Sequence, residues 1–211
     1  MPRSYRNTAI FPEFSSKDHY LDKCGYVRRP LSFKVKIGRT RKGTPLESVI
    51  IRPATASDLP LLTEIYNYYI VNTNIAFDTE AMSVDEYRPW FEKYSDTGPY
   101  RLFVAEIDGE VVGSAGSRQY RDHPAFVETV EFGIYLNSKA HGKGVGKKLY
   151  SALFEALKGE KVHLVVAGVA LPNPASVALH KAMGFTEVGV FDQYAQKHGQ
   201  YISSMWLQKR V

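Results

Sequence analysis

A glycine-rich segment, His141-Gly-Lys-Gly-Val-Gly146, has the residue types of a turn that binds an anion. It lies between an apolar run that ends at Leu136 and an amphipathic run that continues to Lys158, which is the order strand, turn, helix. Backbone N–H groups and the positive end of a helix dipole meet at such a turn, and glycines let a phosphate approach the backbone. The segment therefore predicts a pyrophosphate site; the alternative is a plain strand-to-helix turn without a ligand.

The glycine spacing differs from that of two other phosphate loops. A Walker loop needs a Lys-Ser or Lys-Thr pair after its last glycine, whereas Gly146 is followed by Lys147-Lys148. The dinucleotide fingerprint opens the first βαβ unit of a domain, whereas this segment lies past the middle of the chain. The pattern therefore excludes both of these nucleotide-binding classes.

A second strand-turn-helix unit follows the first. The run from Val162 to Ala170 is apolar and predicts a central strand, and Ala175 to Met183 predicts a helix that Gly184 terminates. Asn173 stands at the N-cap position and Pro174 at the first helical position. By itself, this placement makes Asn173 a helix cap.

The rest of the sequence supplies the elements that must position these turns. Strands are predicted at 49–52, 100–107, 110–118, 129–136, 185–191 and 201–207, and helices from Ser57 or Asp58 to about Val71 and from Ser83 onward. Asp108-Gly109 is the turn of a hairpin. This order predicts an α/β fold in which a mixed sheet carries helices on both faces.

With these motifs in this order, the sequence resembles the GNAT N-acetyltransferases, and among them the phosphinothricin and methionine sulfoximine acetyltransferases. The matching segments are Ile51-Arg-Pro-Ala-Thr55, Thr129 to Leu136, the glycine-rich turn, Val166-Ala-Gly168, Asn173-Pro-Ala-Ser176, Leu179 to Phe185 and Lys197-His-Gly199. The resemblance implies the acyl-CoA N-acyltransferase fold, with a twisted and mostly antiparallel sheet. We expect residues 48–211 to form this domain and residues 1–47 to be a basic N-terminal extension.

The resemblance also implies direct transfer of an acetyl group from acetyl-CoA to a primary amine. The expected acceptor is a small amino-acid-like molecule of the methionine sulfoximine, methionine sulfone or phosphinothricin type. One alternative keeps the chemistry and moves the acceptor to a polyamine, an antibiotic or a protein N-terminus. The other is a non-catalytic acyl-CoA-binding or nucleic-acid-associated protein.

Glu131 is the candidate general base. It shares one face of its strand with Gly133 and Tyr135, opposite an apolar face. Partial burial makes a carboxylate a stronger proton acceptor, and the resemblance places the catalytic glutamate of the family here. The alternative is a structural ion pair with Arg118 or Arg121.

His180 is a second catalytic candidate, because the family has been proposed to use a histidine at this position. An imidazole can carry a proton near neutral pH. The alternative is a packed core histidine. His163 is interpreted as a structural residue inside its strand, and the spacing of His123, His141 and His198 does not suggest a metal site.

The resemblance assigns the binding residues as well. The backbone of Ile134, Tyr135 and Leu136 is expected to hold the pantetheine arm, Asn173 the region near the thiol, and the turn residues Gly142, Lys143, Gly144, Val145, Gly146 and Lys147 the pyrophosphate. Phe77, Asp78, Tyr120 and Tyr201 are the expected acceptor residues. Asp78 stands where the herbicide-detoxifying relatives often have Arg, which favours a neutral or basic acceptor over a dianionic phosphinate.

The charge is concentrated near the N-terminus. Residues 1–49 carry eleven Lys and Arg against four Asp and Glu, and the remaining residues carry sixteen against eighteen. The basic segment is interpreted as a solvated extension; nucleic-acid or membrane contact is the alternative. A single cysteine, Cys24, fits a reducing cytoplasm. We expect a cytoplasmic homodimer with acetyl-CoA and a small amine as partners, and neither a nucleic-acid nor a membrane partner.

Overall fold

A computed structural model describes residues 48–211. The predictions about residues 1–47, including the basic extension and Cys24, lie outside the described residues.

Within residues 48–211, seven strands form one sheet. They are β1 (Val49–Pro53), β2 (Leu102–Ile107), β3 (Glu110–Gln119), β4 (Thr129–Leu136), β5 (Leu164–Ala170), β6 (Thr186–Lys197) and β7 (Gln200–Arg210). The order across the sheet is β1-β2-β3-β4-β5-β7-β6. The β4–β5 pair is parallel and the other neighbouring pairs are antiparallel. The prediction of a mixed, mostly antiparallel sheet is confirmed.

Four α-helices of the described residues cover the two faces of the sheet. They are α1 (Leu59–Asn72), α2 (Val84–Phe91), α3 (Val145–Ala156) and α4 (Pro174–Ala182). On one face, Leu62 of α1 and Tyr87 of α2 pack with Val104 of β2. On the other, Leu149 of α3 packs with Phe132 of β4, and partly buried residues of α4 join this core. Helices on both faces are therefore also confirmed.

Local signals set several of these boundaries. Asp108 and Gly109 both have positive φ, 52° and 83°, as the tight β2–β3 turn requires. Ser83 caps α2, and its hydroxyl and the Glu86 carboxylate bond reciprocally to the backbone. Gly184 ends α4 with a φ of 84°.

Two details of the sequence interpretation are wrong. His163 precedes β5 and is exposed, so it is not a residue inside that strand. The last two strands are also longer than predicted. Most β6 side chains are exposed, so the strand lacks the alternation of buried and exposed residues that marks a strand in the sequence. No helix within residues 48–211 is long and apolar enough to cross a membrane.

Candidate active site

The centre of the sheet opens between β4 and β5. The two strands pair at Thr129–Leu164, Val130–Val165 and Glu131–Val166. Beyond these pairs, β4 stays paired with β3 and β5 stays paired with β7, but the two strands no longer pair with each other. A wedge-shaped gap therefore lies beside residues 132–136.

The backbone of β4 faces this gap at alternate residues. The Asn137 amide donates to the Val112 carbonyl of β3 at 2.9 Å. Because successive strand residues direct their backbone groups to opposite neighbours, Phe132, Ile134 and Leu136 direct theirs away from β3 and into the gap. Tyr69 of α1 already donates to the Leu136 carbonyl at 2.5 Å. The gap thus offers a strand edge to an extended ligand.

A cavity of about 650 Å³ occupies the gap and reaches both faces of the sheet. Arg118, Glu131 and Tyr94 line it on the face covered by α1 and α2, and Tyr150, Leu179 and His180 line it on the other face. Two ligands that enter the cavity from opposite faces of the sheet can therefore come into contact in the gap between β4 and β5.

Glu131 and Arg118 form an ion pair in the cavity wall. The residues are opposite each other in the β3–β4 register, and Nη2 of Arg118 lies 2.7 Å from Oε1 of Glu131. The Glu131 side chain is 16% exposed and that of Arg118 is 50% exposed. Burial alone would lower the pKa of Arg118, but the Glu131 carboxylate outweighs it and the pKa is raised. The ion-pair alternative for Glu131 is thus realised with Arg118, and its role as a base stays a prediction.

His180 is held behind Tyr150. Its side chain is 2% exposed, Nδ1 lies 2.7 Å from the Ser176 carbonyl oxygen, and Nε2 lies 2.8 Å from the Tyr150 hydroxyl. A carbonyl oxygen only accepts, so Nδ1 carries the proton and Nε2 accepts from Tyr150. Burial lowers the pKa of His180, and the Ser176 carbonyl only partly opposes this. His180 is therefore neutral near pH 7, with both nitrogens engaged.

The glycine-rich turn leads into α3 at the edge of the gap. Gly142 and Gly144 have φ values of 73° and 72°, in the left-handed region. The first intrahelical bond runs from the Lys148 amide to the Gly144 carbonyl at 3.2 Å. The amides of residues 144–147 therefore have no acceptor within the helix. The strand-turn-helix geometry is the one that the sequence predicts, and the binding of a pyrophosphate there stays a prediction.

The comparison with known proteins decides the family. Residues 51–206 match the family described as the acetyltransferase (GNAT) domain. The chain belongs to this family. The family, its fold and its use of acetyl-CoA, which the sequence predicts, are thereby confirmed, and the protein is an acetyl-CoA-dependent N-acetyltransferase.

Several relatives carry more specific names. The chain is 41% identical over 163 residues to a phosphinothricin N-acetyltransferase of Streptomyces coelicolor, covering 76% of this chain and 95% of the relative. It is 32% identical over 161 residues to an L-methionine sulfoximine/L-methionine sulfone acetyltransferase of Pseudomonas paraeruginosa, covering 76% and 94%. A Sinorhizobium meliloti phosphinothricin acetyltransferase, solved in complex with AcCoA, matches with a TM-score of 0.73 and 30% identity over 77% of this chain and 88% of that one.

Gly146 lies at a close contact between elements of this GNAT acetyltransferase. A Cβ at Gly146 would lie 2.9 Å from Cδ2 of Leu179 and 3.4 Å from Cδ1 of Ile134. It would therefore enter the contact of α3 with α4 and β4. This contact is a packing reason for a glycine at position 146, and the role of Gly146 in pyrophosphate binding stays a prediction.

The acceptor residues expected in the GNAT domain are dispersed. Phe77 lines the cavity, whereas Asp78, Tyr120 and Tyr201 do not. Asp78 accepts a hydrogen bond from the Tyr66 hydroxyl, and Tyr120 packs edge-on against Trp206 with a centroid distance of 5.9 Å. Tyr201 is 66% exposed on β7. Their roles in acceptor binding stay predictions.

Sequence reasoning identified Phe77 and Tyr135 but missed the rest of the aromatic wall of the cavity and the buried Tyr150. The wall is formed mainly by Phe77, Trp90, Tyr94, Tyr135, Tyr194 and Trp206. Trp206 also contributes a buried Nε1 donor that has no hydrogen-bond partner within residues 48–211. Tyr150 lies next to Leu149 on the buried face of α3, so its position in the sequence indicates only core packing.

Proposed function

We propose that the protein acetylates the α-amino group of a small amino-acid-like molecule, of the methionine sulfoximine, methionine sulfone or phosphinothricin type. One observation carries the proposal: among the described residues, Arg118 and Glu131 are the only Lys, Arg, Asp or Glu side chains that line the cavity. The surrounding wall is largely aromatic. The names of the relatives support an acceptor of this class.

The cofactor residues fit acetyl-CoA. The gap-facing backbone of Ile134 and Leu136, on either side of Tyr135, would bind the pantetheine arm as a strand edge binds a peptide. The turn from Gly142 to Lys147 would hold the pyrophosphate, with the amides of residues 144–147 and the α3 dipole directed at it. Asn173, whose side chain caps α4 at 3.1 Å from the Ser176 amide, lines the cavity with His141. When bound there, acetyl-CoA supplies an activated thioester.

Glu131 would act as the general base. An α-amino group has a pKa of about 8, so about a tenth of it is already neutral at pH 7, far more than of a lysine amine with a pKa of about 10.4. Glu131 therefore has to remove a proton only from the charged fraction, either directly or through a water molecule. Its Oε1 is bonded to Arg118, and Oε2 accepts no hydrogen bond from residues 48–211. One carboxylate oxygen is thus available to the amine.

Tyr150 and His180 would form the polar wall near the departing thiol. An alkyl thiol has a pKa of about 8.5, so its thiolate leaves without full protonation. Burial raises the pKa of Tyr150 above its usual range, which makes complete proton transfer from its hydroxyl to a thiolate unfavourable. We assign the pair an orienting role: His180 accepts the hydrogen bond of the Tyr150 hydroxyl and so holds the ring in the cavity wall.

A thiol-release assay with acetyl-CoA tests the function. The acceptor panel contains L-methionine sulfone, L-methionine sulfoximine, phosphinothricin, proteinogenic amino acids, spermidine, an aminoglycoside and a short peptide, and mass spectrometry identifies the acetylated amine. The proposal expects the highest kcat/KM for an α-amino acid. A preference for spermidine, the aminoglycoside or the peptide would show that the acceptor belongs to a different class from the one proposed. Binding of acetyl-CoA without turnover on any amine would refute the activity.

The proposal also covers the extent of the catalytic domain, the oligomeric state and the cellular location. Residues 48–211 would form the catalytic domain, so a truncated chain starting at Pro45 should keep its Tm and turnover. The protein would be a homodimer, supported by the exposed apolar side chains Val188, Val190, Phe191 and Tyr194 on β6. Sedimentation velocity tests this state. A cytoplasmic location is supported by the single cysteine, and cell fractionation tests it.

A further inference from the structure

The Arg118 guanidinium has unused hydrogen-bonding capacity inside the cavity. Within the part of the chain that the structure describes, its side chain makes one hydrogen bond, from Nη2 to Glu131. A guanidinium has five N–H donors in a planar fork, so four remain. The side chain is half exposed and lines the cavity. Its free donors therefore face the space that an acceptor would occupy.

The two charges of the ion pair match the two charges of an α-amino acid. An α-amino acid carries an ammonium and a carboxylate on one carbon, and Glu131 and Arg118 present a carboxylate and a guanidinium 2.7 Å apart. An acceptor lying across the pair can place its amine at Glu131 and its carboxylate at Arg118. The cavity then stays electrically neutral, which matters because unbalanced charge is costly in a partly desolvated aromatic site.

Other acceptors complement this pair less well. A polyamine offers nothing to the free donors of Arg118 and adds positive charge beside it. A second anionic group, such as the phosphinate of phosphinothricin, leaves excess negative charge among Trp90, Tyr94 and Tyr135, which supply no cation. Within the proposed acceptor class, the pair therefore favours the methionine sulfone and sulfoximine types over phosphinothricin. An acceptor with a single carboxylate next to its amine satisfies both partners.

We infer that Arg118 is a specificity-determining residue that binds the α-carboxylate of the acceptor while Glu131 faces its amine. The inference rests on the proposed function, since it concerns the same acceptor in the same cavity. Arg118 forms charge-assisted hydrogen bonds with the carboxylate, and the planar fork permits two parallel bonds. It therefore sets the acceptor class as α-amino acids with a free carboxylate.

The test compares acceptors that differ only in that carboxylate. Steady-state kinetics of the full-length wild type and Arg118→Gln are measured with L-methionine sulfone and its carboxamide, and with L-phenylalanine and its carboxamide. We expect Arg118→Gln to raise the KM for the free acids by roughly 10- to 100-fold, the range for hydrogen bonds to charged groups. The KM for the carboxamides should change by less than about threefold, because they lack the charge that Arg118 binds.

Two further variants sharpen the comparison. Arg118→Lys keeps the charge without the fork and should recover part of the affinity for the free acids. Arg210→Gln is the matched control, because Arg210 is exposed at the end of β7 and does not line the cavity. Its kinetics should equal those of the wild type. The Tm of each variant establishes that it is folded.

Three outcomes overturn the inference. One is an unchanged KM for the free acids in Arg118→Gln. Another is that Arg118→Gln lowers kcat/KM equally for the free acids and the carboxamides, mainly through kcat. This result would mean that Arg118 only orients Glu131. The third is a wild type that acetylates none of the free acids, in which case the proposed function fails too. A wild type that uses the free acids, with a KM for them that Arg118→Gln leaves unchanged, refutes the inference alone.

Discussion

Arg118 and Glu131 occupy opposite positions on β3 and β4, and their side chains meet at 2.7 Å in the wall of the central cavity. The pair lies next to the point at which β4 separates from β5. The β3–β4 register thus places the charges of Arg118 and Glu131 beside the gap. There the amine and carboxylate of an acceptor can approach the thioester of acetyl-CoA.

Glu131→Gln should leave acetyl-CoA affinity intact and lower kcat, because the amide keeps the shape of the side chain but cannot accept the proton. A positioned base contributes about 10²–10⁴-fold. The loss should lie toward the lower end for an α-amino acceptor and shrink as pH rises past its pKa of about 8. A pH profile of kcat with calorimetric binding of acetyl-CoA measures both effects.

Glu128→Gln is the control for that change, because Glu128 is exposed just before β4 and does not line the cavity. Wild-type turnover of Glu131→Gln near pH 7 would make Glu131 a structural residue. A large defect that persists unchanged to pH 10 would instead indicate a role in orienting the amine.

Gly146→Val should destabilise the fold through the contact with Leu179. Overpacking of this kind costs about 1–3 kcal/mol, which corresponds to roughly 2–12 °C in Tm for a domain of this size. Adding Leu179→Ala removes the obstructing methyl groups, so the two changes should cost less together than the sum of their separate effects. Strict additivity of the Tm shifts would contradict the packing explanation.

His180 should make stability depend on pH just below neutrality. Its pKa is lowered by burial from an unfolded value of about 6.5, so below that pH the unfolded chain binds a proton that the folded chain does not. Stability is therefore complete above pH 6.5 and decreases as the pH falls toward the folded pKa. The Tm difference between pH 7.5 and pH 5.5 should be smaller in His180→Asn; equal differences would refute the assignment.

Lys197→Met should loosen the segment that carries Phe77. The Lys197 side chain is buried, and its Nζ donates to the Ala76 carbonyl at 2.7 Å. Losing a buried partner of this kind costs about 1–3 kcal/mol. The variant should show a lower Tm and a higher KM for the acceptor, with the KM for acetyl-CoA unchanged. Lys161→Met, an exposed position, is the control, and an acceptor KM equal to that of the wild type would separate this segment from the site.

Local residue patterns in the sequence predict the turns, caps and helix starts of this protein. The hairpin turn at Asp108-Gly109, the cap at Asn173 and the glycine-rich entry to α3 were all predictable, because each depends on residues within a few positions of one another. The alternation around Glu131 also predicted which face of β4 carries the carboxylate. With the motif order, these signals were sufficient for the fold and the family.

Tertiary structure decided what those elements form together. The gap depends on where the β4–β5 ladder ends, and the Arg118–Glu131 contact depends on the β3–β4 register. The Tyr150–His180 bond joins two helices, and the surroundings of Gly146 include a side chain from α4. Strand pairing, register and helix packing arise from contacts between segments that are far apart in the chain. Local residue patterns do not show which of these segments meet or at which residues.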